Sequence, residues 1–482
     1  MLAIQLLVFA APVVLAKARK VVWFNDNGLY NHCVTRKGYL GPDGPWHALV
    51  TGHWSMRDNL LYIPVWPTGS LDTIMPAEEG GGVYEGHEIV NTTDGSRRVP
   101  DGVQYQWPNV RPNDYGSETP DWYLNNEMQL LWADEKDDQG YAYDSVNASV
   151  REVLNWTSPY IDTTPDEDQY QRAVGILGLG KIIGSDGERQ SEELGMPPSI
   201  LDQLVDDGTI ATRSWFMHIG SVNPLVVPSL VLGGYESNRV LGGVGIFDFD
   251  EDWKLPRLFL IGVTLGYELG LSPFDDPVGS VWGANTYEIG THGEGSGAPN
   301  GSVMTTPDAS LPYIYLPPGV CEAAAEHLPV SWNETARLYF WEESSRSEKL
   351  TNTSAYMGFV FSDRNNQNVS IKVPLALLYL LTDPYREGVN RSTRYWPCKP
   401  WSDKADDGGP GSGLWPLGRA FLQAALIGYN YDRPRFYLAQ APGPGHGEGV
   451  VVDDNNTDRI FSAPTSFKET WRSSWEEIPG PG

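Results

Sequence analysis

Apolar and polar residues alternate in short runs along this chain, which is the pattern of β-strands that bury one face. Glycine, proline, asparagine and aspartate separate the runs, so a turn is expected after each of them. Strands are predicted over residues 60–65, 174–179, 230–233, 258–263, 313–316, 373–379 and 436–439. The pattern therefore predicts a mostly β protein whose strands pair mainly in antiparallel fashion.

Helical spacing of apolar residues is limited to a few short segments. Residues 197–207 are predicted to form a helix, with Ser199 capping its first turn and Gly208 ending its last. Two further short helices are predicted over residues 320–327 and 418–425. These segments are too few and too short to build a helical bundle.

An internal repeat predicts two similar halves. Residues 67–70 (PTGS) precede residues 175–178 (GILG) in the first half, and residues 308–311 (DASL) precede residues 415–418 (WPLG) in the second. Gly178 lies 111 residues after Pro67, and Gly418 lies 110 residues after Asp308. Because 482 residues also exceed what one small core requires, we expect two lobes built on one plan.

These patterns divide the chain into five expected segments. They are a signal peptide (1–16), an N-terminal extension (17–45), an N-terminal lobe (46–220), a C-terminal lobe (221–440) and a polar Gly/Pro-rich tail (441–482). The signal peptide is predicted from an apolar run that ends in Val14-Leu15-Ala16, a suitable cleavage site. It is shorter than the roughly 20 residues needed to span a bilayer, and no other window is apolar enough. We therefore expect a protein that is secreted to the extracellular space or the cell wall, with no transmembrane segment in the mature chain.

Charge and sequence motifs narrow the expected partners. The chain has 62 acidic and 34 basic residues, for a formal net charge of −28, so nucleic acid is not an expected partner. The histidines lack metal-ligand spacing, and neither a metal site nor a cofactor is expected. Sequons that support a secreted glycoprotein begin at Asn91, Asn147, Asn155, Asn300, Asn333, Asn352, Asn368, Asn390 and Asn455.

The chain has three cysteines, so at least one has no partner within the chain. We predict a disulfide between Cys321 and Cys398, which closes a long loop in the second half and constrains the unfolded state. The partner of Cys33 is left open. Three buried free thiols are the alternative.

Several segments resemble the pepsin-like aspartic peptidases, with divergent fungal members of that family as the nearest relatives. Residues 60–76 resemble the segment around the first catalytic aspartate, and residues 308–317 resemble the segment around the second. Further segments that look like the family, in its order and spacing, are 175–180, 199–210, 229–237, 417–425 and 429–440. The resemblance implies a bilobal acid-protease fold, with two pseudo-symmetric β-barrel-like lobes around a central cleft, and a monomer.

The family's chemistry needs two carboxylates about 3 Å apart that share a proton across a bound water. By resemblance, Asp308 matches the second catalytic aspartate, and Pro67 occupies the position of the first. Proline supplies neither a carboxylate nor a backbone N–H, so it cannot replace the acid. Asp72 is the alternative for a displaced first acid, although the β-branched Ile74 two residues later is poorly suited to a strained loop.

The family also covers its site with a β-hairpin flap. Tyr143-Asp144-Ser145-Val146 resembles the returning strand of that hairpin, and counting back from it gives Trp132 as the flap candidate. Tyr115-Gly116-Ser117 matches the family's tip motif by letter but lies upstream, so Tyr115 is a second candidate.

Taken together, these observations predict a secreted pepsin-like protein that has lost normal peptidase activity. Its cleft is expected to bind a peptide or a polysaccharide, because strand addition and side-chain pockets do not need the catalytic pair. One alternative is an active endopeptidase that uses Asp308 and an unrecognised second acid. Another is a structural or interaction protein of the cell surface, in which the fold is only a scaffold.

Overall fold

The computed structural model describes the chain with gaps, and the fold is described for these residues. They are 17–23, 46–54, 60–70, 73–76, 121–137, 140–153, 174–181, 197–249, 256, 258–283, 301–382, 393–401, 414–447, 449–454 and 459–479. Cys33, Asp72, Tyr115 and the sequons at Asn91, Asn155, Asn300, Asn390 and Asn455 lie outside them, as does the predicted signal peptide.

Strands dominate the described residues, which confirms the prediction of a mostly β protein. They are β1 (Arg19–Lys20), β2 (Leu49–Trp54), β3 (Leu60–Thr68), β4 (Thr73–Pro76), β5 (Asp121–Asp137), β6 (Gly140–Val153), β7 (Gly175–Gly178), β8 (Ser214–His218), β9 (Ser229–Leu232), β10 (Gly234–Glu236), β11 (Leu241–Asp248), β12 (Leu258–Tyr267), β13 (Val303–Pro307), β14 (Ile314–Leu316), β15 (Val330–Asn333), β16 (Leu338–Trp341), β17 (Ala355–Ser362), β18 (Asn368–Pro374), β19 (Leu380–Leu381), β20 (Arg394–Trp396), β21 (Cys398–Pro400), β22 (Leu414–Leu417), β23 (Ala425–Asn430), β24 (Arg435–Gln440) and β25 (Val451–Asp453).

Helices are short. They are α1 (Ile200–Asp206), α2 (Pro318–Ala325), α3 (Ser345–Asn352), α4 (Arg419–Leu422) and α5 (Phe467–Trp471), with 3₁₀ helices at Ser237–Arg239, Leu375–Leu378 and Arg472–Ser474. The predicted cap of α1 is confirmed, because the Asp202 N–H donates to Ser199 Oγ at 3.1 Å. Gly208 follows the helix at a φ of +74°, a conformation that glycine adopts without the cost of a Cβ.

The first part of the chain closes into a barrel with the strand order β2-β3-β7-β4-β6-β5. Its longest strands, β5 and β6, form a hairpin, and the contact of Thr51 with Leu130 closes the barrel between β2 and β5. Val65, Met75 and Val150 are fully buried. The hydrophobic residues therefore point to the inside of the barrel, as alternation along the strands requires.

The later part of the chain builds a seven-stranded sheet, in the order β18-β17-β12-β13-β22-β14-β21, and a four-stranded sheet, in the order β15-β16-β20-β19. A disulfide between Cys321 on α2 and Cys398 on β21 holds the helix against the edge of the larger sheet. The predicted Cys321–Cys398 pair is confirmed.

A six-stranded sheet joins distant parts of the chain in the order β1-β9-β8-β23-β24-β11. Arg19 and Lys20 of β1 pair with Leu232 and Val231, and the next residues continue onto the barrel, where Val21 bridges to Trp132. One short segment near the beginning of the chain thus belongs to both the sheet and the barrel.

Two sequence predictions need correction. The strand predicted over residues 373–379 ends at Pro374, whose ring removes the N–H that a ladder needs, and Leu375–Leu378 forms a buried 3₁₀ helix instead. The polar tail expected over residues 441–482 contains β25 and α5. Trp471 there is 1% exposed, because it covers the backbone at Gly443. Among the described residues, none of the helices combines the length and apolar character that crossing a membrane requires.

The disulfide gives a stability prediction. Replacing Cys321 and Cys398 together by serine should lower the free energy of unfolding by about 4 kcal/mol, because the bridge closes a loop with a sequence separation of 77 in the unfolded chain. Urea unfolding followed by circular dichroism measures the loss. An unchanged midpoint and slope in the double variant would contradict this account.

Candidate functional site

Two loops occupy equivalent places in the barrel and in the seven-stranded sheet. We call residues 67–70 the first loop and residues 307–310 the second loop. The first follows β3, which runs parallel to β7, while β4 pairs with β7 in antiparallel fashion. The second follows β13, which runs parallel to β22, while β14 pairs with β22 in antiparallel fashion. The internal repeat predicted from the sequence is thus present as a repeated three-strand arrangement.

The strand register sets which residues of the two loops correspond. Pro67 pairs with Leu177, and Pro307 pairs with Leu417, each of which is followed by a glycine. This parallel pairing aligns Thr68 with Asp308. The antiparallel pairs Ile74–Ile176 and Ile314–Leu417 instead align Ile176 with Leu417, and with that register Pro67 corresponds to Asp308.

The turns favour the alignment of Thr68 with Asp308. The Ser310 N–H donates to Asp308 Oδ1 at 2.8 Å, and the Ser70 N–H donates to Thr68 Oγ1 at 3.3 Å. Each loop thus closes on a side-chain oxygen two residues earlier, as Asx and ST turns do. The Thr68 and Ser70 hydroxyls also share a hydrogen bond of 2.8 Å.

The spacing to the next strand agrees with the alignment of Pro67 with Asp308. β4 begins six residues after Pro67, and β14 begins six residues after Asp308. The match of Pro67 to the first acid position therefore stays a prediction beside the match of Thr68. Neither residue carries a carboxylate.

Glycines let the partner strands approach both loops closely. The Gly180 N–H donates to the Ser70 carbonyl at 2.7 Å, and a Cβ on Gly180 would lie 2.3 Å from the Gly69 carbonyl oxygen. In the second half, a Cβ on Gly418 would lie 2.3 Å from the Leu311 carbonyl oxygen. No side chain fits at either place, so each loop rests directly on the backbone behind it.

Tyr429 of β23 lies next to both loops. A Cβ on Gly69 would come within 2.9 Å of the Tyr429 ring, so the first loop touches that ring. Burial raises the pKa of the Tyr429 phenol well above its usual value, and the charges of Tyr431 and Asp308 raise that pKa further. The ring itself is held by stacking on Trp215, with centroids 4.4 Å apart. The two loops are therefore neighbours above the six-stranded sheet.

Arg419 makes a second connection between the loops. Its side chain is fully buried, and Nη1 donates to the carbonyls of Ala309 and Ser310 at 2.9 and 3.0 Å. The guanidinium carbon also lies 3.5 Å from the ring centroid of Trp66, the residue that precedes the first loop, and 4.7 Å from that of Trp46. Sequence analysis missed this residue, although a single cation between apolar residues after a Leu-Gly pair was a visible signal.

The flap predictions have separate outcomes. The hairpin of β5 and β6 exists, but its last described pair is Asp137 with Gly140, beyond Trp132. Trp132 is 1% exposed, donates from Nε1 to Asp144 at 2.8 Å and carries Arg19 over its ring. Trp132 is thus a core residue of the barrel rather than a flap tip. Tyr115 lies outside the described residues.

The sequons that the structure describes differ in exposure. Asn147, Asn352 and Asn368 are exposed. Asn333 is half-buried, and its side-chain oxygen accepts the Ala336 N–H at 2.8 Å. Glycosylation remains a prediction, most accessible at the first three.

The site as a whole offers one carboxylate in the second loop and two hydroxyls in the first. Thr68, Ser70 and Asp308 are half-buried, so they face partly to solvent. Within the described part of the chain, no three histidine, cysteine, aspartate or glutamate side chains are close enough to hold a metal ion. This arrangement can bind a positive or hydrogen-bonding group at Asp308, but Thr68 cannot supply a second acid.

Compared with known proteins, the chain matches no family model and no curated protein.

The close packing behind the first loop is testable. Gly180→Ala should lower the free energy of unfolding by about 2 kcal/mol or more, because its Cβ would overlap the Gly69 and Ser70 backbone. Gly243→Ala is the matched control, since nothing lies within 4 Å of its added Cβ, and its effect should stay within about 0.5 kcal/mol. Chemical denaturation of both variants provides the measurement, and equal stabilities would rule out the loop contact.

Proposed function

We propose that this chain is a secreted, bilobal, pepsin-like protein that binds peptides in the cleft between its lobes without hydrolysing them. The observation that carries the proposal is that residues 67–70 of the first loop supply no carboxylate opposite Asp308, whether Pro67 or Thr68 is its counterpart. The resemblance in motif order and the repeated three-strand arrangement support the family assignment. The predicted signal peptide and sequons support secretion.

The absence of a second acid explains the loss of hydrolysis. Two carboxylates that share a proton let one act as base and the other as acid toward the same water. A threonine hydroxyl does not ionise in the accessible pH range, so it cannot exchange roles with Asp308. Its hydrogen bond to Ser70 uses the hydroxyl within the loop itself.

Asp308 is proposed to anchor the ligand. Its Oδ1 accepts the Ser310 N–H, and among the described residues no donor reaches its Oδ2. With a formal net charge of −28, the protein also attracts cations over a longer range. We therefore propose a peptide that places a lysine or arginine side chain at Asp308.

Peptidase assays test the loss of hydrolysis. The wild-type protein, incubated with casein and a pepsin-type peptide library from strongly acidic to neutral pH, should show no cleavage that a pepstatin-type inhibitor blocks. Inhibitor-sensitive cleavage by the wild type would contradict the proposal and favour an active endopeptidase with an unrecognised acid.

A gain-of-activity experiment tests the proposal that Thr68 is the counterpart of Asp308. Thr68→Asp should raise acid cleavage on the order of 100-fold above the wild type, the lower range for added general acid–base catalysis. Pro67→Asp is the matched control. It places the same acid at a buried position that pairs with Leu177, so it should give no cleavage. Activity in Pro67→Asp and none in Thr68→Asp would show that Pro67 is the counterpart of Asp308.

Binding measurements test the ligand. Fluorescence anisotropy with a pool of lysine-containing octapeptides should show affinity that Asp308→Asn lowers about tenfold, the weaker range for a hydrogen bond to a charged group. The same pool with glutamine for lysine should bind as weakly to both proteins. Asp276→Asn removes an exposed carboxylate elsewhere and should change nothing. Equal binding of both pools would contradict the proposal that Asp308 binds a lysine or arginine side chain. Binding of an oligosaccharide and of neither pool would show that the cleft binds glycans instead.

A further inference from the structure

The segment that follows β24 crosses the surface of the protein and pairs with β10. We call residues 443–447 and 449–454 the strap. Its strand β25 pairs with β10, and its backbone accepts hydrogen bonds from Ser237 at Val450 and from Asn238 at Gly447. The strap thus lies along β10 and the 3₁₀ helix that follows it.

The strap is anchored at its two ends. Gly443 lies against the Trp471 ring, and the buried Asp454 accepts a hydrogen bond from Asn430 at 2.8 Å. Between these anchors Val450 is 70% exposed, and the side chains of β25 are half-buried or exposed. The stretch between the anchors is thus held mainly by hydrogen bonds and little buried apolar surface, and such a segment opens at a lower free-energy cost than the core.

A buried polar cluster lies next to the strap. It consists of His218 on β8, Glu236 at the end of β10 and Arg239 in the 3₁₀ helix, which are 0%, 5% and 2% exposed. Arg239 donates from Nε to Glu236 at 3.2 Å and from Nη1 to His218 Nδ1 at 3.4 Å. His218 Nε2 donates in turn to the Gln423 carbonyl at 2.9 Å.

These contacts fix the protonation state of His218. An arginine only donates, so His218 Nδ1 must accept and therefore carries no proton. The proton on Nε2 satisfies the Gln423 carbonyl. A second proton on the ring would point an N–H at the Arg239 guanidinium, where no acceptor is available and the charges repel.

The groups around the cluster add positive charge. Lys20 of β1 lies 3.5 Å from Glu236, and His446 of the strap donates from Nδ1 to the Gly443 carbonyl at 2.8 Å. Burial, followed by the charge of Arg239, lowers the pKa of His446 and lowers the pKa of His218 well below its usual value. His47 and His446 themselves act on His218 in the same direction. Two permanent cations therefore face one carboxylate before either histidine binds a proton.

We propose that the strap is an acid-released cover, held closed while His218 and His446 are neutral and opened when they bind protons. Both histidines bind protons more weakly in the closed form than in an open one. The closed form is therefore fully stable above the ordinary histidine pKa, near 6.5, and loses stability as the pH falls below it. Opening frees the edge of β10 and gives His446 access to water.

Hydrogen exchange of the full chain, measured by mass spectrometry at pH 7.5 and pH 5.5, tests the proposal. Exchange rates are divided by those of an unstructured peptide at the same pH. Between these values, protection of the β25 amides should fall about tenfold for each histidine that is protonated only in the open form. Protection of the β17 amides should not fall with it. Constant protection in β25, or an equal fall in β17, would overturn the proposal.

Variants assign the effect to the histidines. In His218→Gln the amide can donate to the Gln423 carbonyl and accept from Arg239 without titrating. The ratio of β25 protection at pH 7.5 to that at pH 5.5 should therefore be about tenfold smaller than in the wild type. His446 lies at the rim of the cluster, and His446→Gln should also reduce the pH-dependent loss of β25 protection. If His218→Gln does not fold, the His446→Gln variant alone tests the proposal. His327→Gln is the control, since His327 follows the end of α2 and none of the cluster contacts described above involves it, and should keep the wild-type response. An unreduced fall in both cluster variants would refute the role of these histidines.

Discussion

One buried cation holds the two loops of the candidate site in place. A buried charge is costly unless neighbouring groups satisfy it, and Arg419 finds two carbonyls in the second loop and two indole rings around the first. The carbonyls belong to the residues directly after Asp308, and Trp66 lies two residues before Thr68. Neither loop can therefore shift without disturbing the partner groups of the cation.

The same constraint keeps the two loops alike. Each has a close glycine contact and a turn closed on a side-chain oxygen, and both have Tyr429 as a neighbour. They differ in chemistry, because the second loop carries the Asp308 carboxylate and residues 67–70 of the first loop carry none. A single acid at a paired loop suits the binding of a cationic group better than acid–base hydrolysis, which needs two.

The sequence predicted those features that depend on local patterns. Alternation located most strands, Ser199 and Gly208 marked the ends of α1, and the cysteine count led to Cys321–Cys398. Features set by register were harder to predict. The counterpart of Asp308 in the first loop is an example, because the sequence does not show which residues pair across a ladder, and the strand pairs support both Pro67 and Thr68.

Two other features were missed for different reasons. The composition of residues 441–482 suggested a tail, but the Ser466 and Glu469 capping box of α5 was a local signal that we did not use. The environments of Arg419 and His218 could not be predicted at all. Their partners come from segments far away in the chain, and a single sequence does not show which distant residues meet.

The six-stranded sheet has a consequence for biosynthesis. Its β1 edge comes from residues 19 and 20, whereas β23 and β24 come from residues 425–440, and Ala18 donates its N–H to Asp453 at 2.7 Å. The ribosome therefore releases the first partner long before the last has been made. Contacts of such long sequence separation form slowly, so the nascent chain must carry an incomplete sheet with an unpaired edge until synthesis is almost finished. Protection of that edge by a folding helper is the corresponding requirement on the cell.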